Sequence, residues 1–301
     1  MVRLPRPSRG GGIYRSDRGE RRIKQQYRDY LDSIDTNLER RWIETDHGVT
    51  HLLVTGDESD PPLFVFHGGN LTNPGTLPWF LPLADSYRIY APDTIGHPGF
   101  SAQTRLSPNE DAFARWVEEL LDAFDIEQVP MIGPSYGAGI ILRVATYAPE
   151  RIEKAGLLVP AGLGSGSILN LMRGLVWPTY RYRLFPTQNN LDAVIEAMFT
   201  ESASDLDDHT IKHLGTVLRQ VKLERRMPPA ATEEELAGFD APVLVGAATD
   251  DILFPADVVL PRSRAVIPNL EVTMRLEDQQ HVPGPNARDK VIRYLRTFLE
   301  D

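Results

Sequence analysis

Short apolar runs alternate along this chain with longer segments of helical periodicity, and that alternation limits the fold more than any other feature. Eight runs read as strands: residues 42–44, 51–54, 63–66, 88–91, 129–132, 156–159, 243–245 and 270–273. Amphipathic stretches over 110–124, 136–148 and 290–299 lie between or after them. Strands separated by helices build βαβ units, whose mostly parallel sheet must be covered by helices on both faces. The predicted class is therefore α/β.

The alternation stops at Gly162 and resumes at Val243. Residues 162–239 show helical patterns over 168–175, 191–199 and 210–223, with no convincing strand. An all-helical insertion of that size predicts a cap over the carboxyl edge of the sheet, where open α/β folds bind ligands. The expected organisation is a flexible basic tail over 1–18 and a first core part over 19–162, opening with a helix over 20–37. A helical cap over 163–239 and a second core part over 240–301 complete it.

Composition narrows the function. The chain carries a net charge of −10, and residues 1–28 hold nine Arg and Lys against Asp17 and Glu20. The acidic remainder is a poor partner for nucleic acid, whose phosphates demand a basic surface. With 42% hydrophobic and 25% charged residues the chain has the make-up of a soluble globular domain. No apolar run approaches the ~18 residues of a membrane-spanning helix. Pro5, Pro7 and Gly10-Gly11-Gly12 make the amino terminus read as a solvated extension. The apolar stretch of about 7–15 residues that a signal peptide needs does not follow its charges, so a cytoplasmic location is expected. Cysteine is absent, which removes disulfides, thiolate metal sites and cysteine nucleophiles.

The predicted strand over 129–132 runs into Gly133-Pro134-Ser135-Tyr136-Gly137, a G-x-S-x-G sequence at a strand-to-helix turn. Such a turn strains the central residue and leaves no room for bulky neighbours two positions away, where glycine removes the Cβ. A chance match in a chain this long has a probability of about a tenth, so its position carries the weight. Ser135 then stands at the amino end of the next helix, whose partial positive charge favours an anion.

A serine hydroxyl needs a base, and the base needs an orienting acid. Of the histidines after Ser135, His209 and His213 fall in the helical insertion, while His281 lies in a loop between the last strand and last helix. His281 is the candidate base. After the strand over 243–245 come Asp250 and Asp251; Asp251, four residues before Pro255, is the candidate acid and Asp250 its structural neighbour. At the end of the strand over 63–66, His67-Gly68-Gly69-Asn70 offers backbone amides to an oxyanion. Gly69 is the preferred donor, Asn70 the second choice, and the amide of Tyr136 completes the pair. His67 is expected to brace the loop, and residues 93–101 to form a stiff structural loop. Asn70, Trp79 and Trp177 are candidate substrate contacts.

In this order these residues resemble the α/β-hydrolase superfamily, over about 260 residues from Arg41. The resemblance rests on His67-Gly68-Gly69, Asp93-x-x-Gly96-x-x-Gly99-x-Ser101, Gly133-x-Ser135-x-Gly137, Asp251-x-x-x-Pro255 and His281. It implies an eight-stranded sheet, a cap between the sixth and seventh strands, and a Ser135–Asp251–His281 triad. Within the superfamily the chain looks most like bacterial carboxylesterases with a helical amino-terminal extension.

The expected activity is hydrolysis of a small to medium apolar ester through an acyl-enzyme. The same residues could instead serve a carbon–carbon bond or amide hydrolase, or a ligand-binding protein without turnover. No cofactor or metal is expected. His209 and His213 lack the glutamate of H-E-x-x-H, and glycines 162, 164 and 166 lack nucleotide-binding spacing. The expected partner is a small-molecule substrate. The oligomeric state stays open, with a homodimer as one form.

Overall fold

A computed structural model describes residues 12–300. Its centre is one eight-stranded sheet: β1 (Glu39–Thr45), β2 (Gly48–Thr55), β3 (Pro62–Val65), β4 (Arg88–Pro92), β5 (Val129–Pro134), β6 (Ile152–Leu158), β7 (Val243–Ala248) and β8 (Leu270–Leu276). All eight overlap the runs picked out by their apolar content. The spatial order is β1-β2-β4-β3-β5-β6-β7-β8. β2 pairs antiparallel with β1 and β4, and the remaining pairs are parallel. The central strands β5 and β7 are buried along their whole length, whereas the edge strand β8 alternates exposed and sheltered residues. That contrast follows from covering both faces of a parallel sheet while its edges stay wet.

Among the described residues ten α-helices accompany the sheet: α1 (Asp17–Asp32), α2 (Asn73–Thr76), α3 (Ala112–Asp122), α4 (Tyr136–Tyr147), α5 (Ile168–Leu171), α6 (Trp177–Leu184), α7 (Gln188–Met198), α8 (Asp208–Gln220), α9 (Ala256–Val266) and α10 (Pro285–Glu300). Successive strand residues feed opposite apolar layers, as the period of two requires. Phe64, Met131 and Val245 join Trp116, Ile141 and Val259 on one face; Val65, Ile132 and Leu244 join Tyr27, Leu295 and Phe298 on the other. Helices α5–α8 all fall between β6 and β7 and have a small apolar cluster of their own around Tyr182, Leu191, Ile195 and Leu218.

Two expectations need correction. The tail does not extend to residue 18. Ile13 and Tyr14 are buried, and Tyr14 forms an antiparallel bridge with Val221. The Tyr14 hydroxyl lies 3.1 Å from the amide of Gly99, which donates to it. Ser16 then caps α1, its Oγ accepting from the amide of Gly19. The local Gly and Arg content hides this because the partners are some 85 and 200 positions away. Residues 1–11, the rest of the predicted tail, lie outside the described residues. The second correction is α6, which composition had not marked as helical.

Candidate active site

The sheet order reverses between β3 and β5, and the loops leaving their carboxyl ends meet at that switch point. Ser135 follows β5 directly, with φ 55° and ψ −117°. This is a sparsely populated conformation for a non-glycine residue. Tight packing sustains it. A Cβ on Gly133 would stand 2.8 Å from the carbonyl carbon of Gly137, and one on Gly137 would stand 2.8 Å from the Phe66 oxygen. Both flanking glycines are thus required by backbone contact with the turn and with the end of β3.

His281 comes from the loop between β8 and α10, and Asp251 from the loop after β7. These loops are tied to each other: the amide of Asp250 donates to the Gln279 oxygen at 2.9 Å, and the amide of Asp278 to Thr249 Oγ1 at 2.9 Å. His281 Nδ1 lies 2.8 Å from Asp251 Oδ2, and its Nε2 lies 2.9 Å from Ser135 Oγ. Since an ionised carboxylate only accepts, the ring proton belongs on Nδ1, leaving Nε2 to accept from the hydroxyl. Asp251 Oδ1 accepts from the amide of Leu253 at 2.7 Å, which fixes the carboxylate. All three side chains are buried, whereas the neighbouring Asp250 is exposed. A hydroxyl, an imidazole and a carboxylate in this line form a path along which the hydroxyl proton can move onto nitrogen.

The loop after β3 faces the amino end of α4. A Cβ on Gly69 would touch Tyr136 Cβ at 3.0 Å, so Gly69 lies against the residue following the serine. Among the described residues the Gly69 amide meets no acceptor, and Tyr136 opens α4, where amides have no partner within the helix. Asn70 is otherwise engaged. Its amide donates to His97 Nδ1 at 3.0 Å, and both ends of its carboxamide are bonded to the backbone of Glu224. It is therefore corrected from oxyanion donor or substrate contact to a tether, held at φ 57°.

The remaining predicted residues sort themselves by contact. His67 braces the loop: its Nδ1 donates to the Gly68 oxygen at 2.8 Å and its Nε2 accepts from the amide of Thr94 at 2.9 Å. Burial holds it below the ordinary imidazole value. Asp93 is a buried hub that accepts from Tyr27 Oη, Asn73 Nδ2, His51 Nδ1 and the Phe100 amide. Burial pushes its carboxyl up, but His51, His67 and the Phe100 amide outweigh that and leave it below the usual range. Trp79 lines a small apolar cleft with Leu158, Val159 and Pro283, and Arg288 stacks on its ring at 4.3 Å. Trp177 is 63% exposed. His209 stacks on Tyr30, whereas His213 Nε2 lies 3.1 Å from Thr72 Oγ1, so the two rings serve separate contacts. Among the described residues no cluster of three or more acidic or histidine side chains is arranged to hold a metal.

One support was not visible beforehand. Thr200 follows α7, and its Oγ1 accepts from the Gln280 amide at 2.9 Å while its own amide donates to the Val282 oxygen at 3.0 Å. Residues 198–200 therefore hold the His281 loop from the insertion side. Nothing in the local sequence marks them.

A family model described as alpha/beta hydrolase fold matches residues 61–189. The solved naproxen esterase (carboxylesterase NP) from Bacillus subtilis superposes with a TM-score of 0.82 at 23% identity, covering 94% of this chain and 99% of that one. The chain has the α/β-hydrolase fold. The chain is also similar in sequence to the uncharacterized carboxylesterase nap of Bacillus subtilis. They are 26% identical over 275 residues, 89% of this chain and 88% of the relative. Carboxylesterase YbfK of the same organism is 22% identical over 285 residues, 92% of this chain and 93% of its own. No helix among the described residues is long and apolar enough to cross a membrane.

Proposed function

We propose that this α/β-hydrolase is a serine carboxylesterase acting on a small to medium, largely apolar ester, with α5–α8 as a cap beside the site. The observation that carries the reading is the relay of 2.9 and 2.8 Å from Ser135 through His281 to Asp251. Similarity to two carboxylesterases along most of the chain supports ester bonds as the target.

Ser135 Oγ attacks the ester carbonyl carbon as its proton passes to His281 Nε2, and Asp251 stabilises the imidazolium. The carbonyl oxygen becomes an oxyanion that accepts from the amides of Gly69 and Tyr136. Collapse breaks the bond to the alcohol, which leaves with the proton from His281 Nε2. Water then gives a proton to His281, attacks the acyl-Ser135 carbonyl, and the acid departs as the proton returns to Ser135.

Ser135→Ala should lower hydrolysis of a p-nitrophenyl ester by several orders of magnitude, leaving only the catalysis that the amides and binding provide. Undiminished turnover would refute the assignment. A fluorophosphonate that leaves Ser135 unlabelled would favour a binding protein over an enzyme. A panel of esters, amides and ring-cleavage diketones ranks the bond types, and faster turnover of diketones would move the reading to carbon–carbon hydrolysis.

A further inference from the structure

α5, the π turn over Met172–Val176 and α6 run on as one helical rod of about 25 Å whose outward side is apolar. Ile168, Met172, Trp177, Tyr180 and Leu184 follow one another at steps of four, five, three and four residues. The five-residue step falls in the π turn, whose wider repeat keeps Trp177 in line with Met172. All five are exposed, Leu184 at 70%, and Phe185 just beyond is 65% exposed. Seven of the eleven large exposed hydrophobic side chains among the described residues lie within 168–185, which is clustering rather than the usual scatter.

The inner side of the rod packs on the protein through buried Tyr182 and through Leu175. Gly174 lies so close to Ile252, the residue after Asp251, that a Cβ there would overlap its side chain. The apolar stripe is therefore beside the candidate active site.

The charge on this face is opposite to that of the molecule. No carboxylate side chain occurs between Glu153 and Asp192, a stretch that contains Arg173, Arg181 and Arg183. Arg183 and Arg225 flank the ring of Tyr180 at 6.0 and 5.8 Å, and Arg225 Nη2 donates to its hydroxyl at 2.7 Å. Arg15 and Arg183 both donate to the Val221 oxygen. Burial, with Arg15 and Arg225 close by, pushes Arg183 below the ordinary guanidinium value. Among the described residues none of these arginines forms an ion pair with a carboxylate, in a chain whose net charge is −10.

An apolar stripe with tryptophan, tyrosine and phenylalanine, edged by uncompensated arginines, matches a surface that is apolar beneath and anionic above. We propose that this face docks on an anionic lipid surface, the rod lying in the interfacial plane with the site beside Asp251 next to it. A second copy fits less well, since a two-fold contact would set the same arginines of both copies against each other.

Co-flotation of the full chain with vesicles tests this without using turnover, so its outcome is separate from that of the Ser135 assignment. Vesicles of equal parts phosphatidylcholine and phosphatidylglycerol should carry the protein, and pure phosphatidylcholine or high salt should reduce binding about tenfold. Leu184→Ser with Phe185→Ser should reduce binding to the anionic vesicles about tenfold, as should Arg181→Glu with Arg225→Glu. Unchanged melting and unchanged p-nitrophenyl acetate hydrolysis without vesicles show that the variants are folded. Failure to float with anionic vesicles, or equal binding by these variants, overturns the proposal. So does a lipid-free dimer that Leu184→Ser with Phe185→Ser dissociates, which would assign the face to a second copy.

Discussion

Asn70 and Glu224, 154 positions apart, are joined at both ends of one carboxamide: Asn70 Oδ1 accepts from the Glu224 amide at 2.6 Å, and Nδ2 donates to the Glu224 oxygen at 3.0 Å. Glu224 is in turn gripped by Arg226, whose Nε and Nη2 donate to its two oxygens. The loop carrying Gly69 is thereby anchored to the segment after α8. Asn70→Gly keeps the positive φ but loses both bonds, and it should lower kcat about tenfold with KM within about twofold. Steady-state kinetics on a p-nitrophenyl ester check this; an unchanged kcat removes the anchoring role.

The two adjacent aspartates separate cleanly. Asp251→Asn should cost about 10⁴ in kcat, because the amide no longer holds the imidazole proton on Nδ1. Asp250→Asn changes an exposed side chain and should leave kcat within about threefold. Parallel assays of the two variants, with circular dichroism as a control for folding, decide between them.

Gly137→Ala forces a Cβ to 2.8 Å from the Phe66 oxygen and 3.0 Å from the His67 oxygen. Backbone must move, so a loss of about 1–3 kcal/mol is expected together with a fall in activity. Urea unfolding measures the first and ester hydrolysis the second; retention of both would show that the turn is softer than its contacts imply.

Stability should fall in mild acid. Burial holds His97 down to about 3 and His213 to about 4, against an ordinary value of 6.5. Between those values the unfolded chain binds protons that the folded chain does not, so stability is complete above about pH 7 and declines as pH drops. At about pH 5 each group costs about 2 kcal/mol. Glu224 adds to the loss at lower pH. Burial would raise it, but Arg226 and Arg105 bring it down to about 2, so its contribution is present above 4.5 and lost as pH falls toward 2. His213→Asn should narrow the gap between unfolding free energies at about pH 7.5 and about pH 5, as read by denaturant titration.

The central strands β3, β5, β6 and β7 were legible because each carries a continuous apolar run, which a strand buried on both faces requires. α6 was not, since Trp177, Pro178 and its alternating tyrosines and arginines give no inward stripe of standard period. Ser135, Asp251 and His281 could be nominated from loop position and chain order alone. The roles of Asn70 and Thr200 could not, because each depends on a partner 80 or more positions away. Ile13 and Tyr14 were obscured in the same way by their glycine-rich neighbours.

The rear of the insertion is riveted to the body: Thr72 meets His213, Tyr30 Oη lies 3.2 Å from Thr210 Oγ1, and Val221 bridges Tyr14. Its front begins after Gly162 and Gly164, both at positive φ, and holds the exposed rod. The rear of the insertion thereby passes its attachment to the body on to the histidine loop, through the hydrogen bonds of residues 198–200.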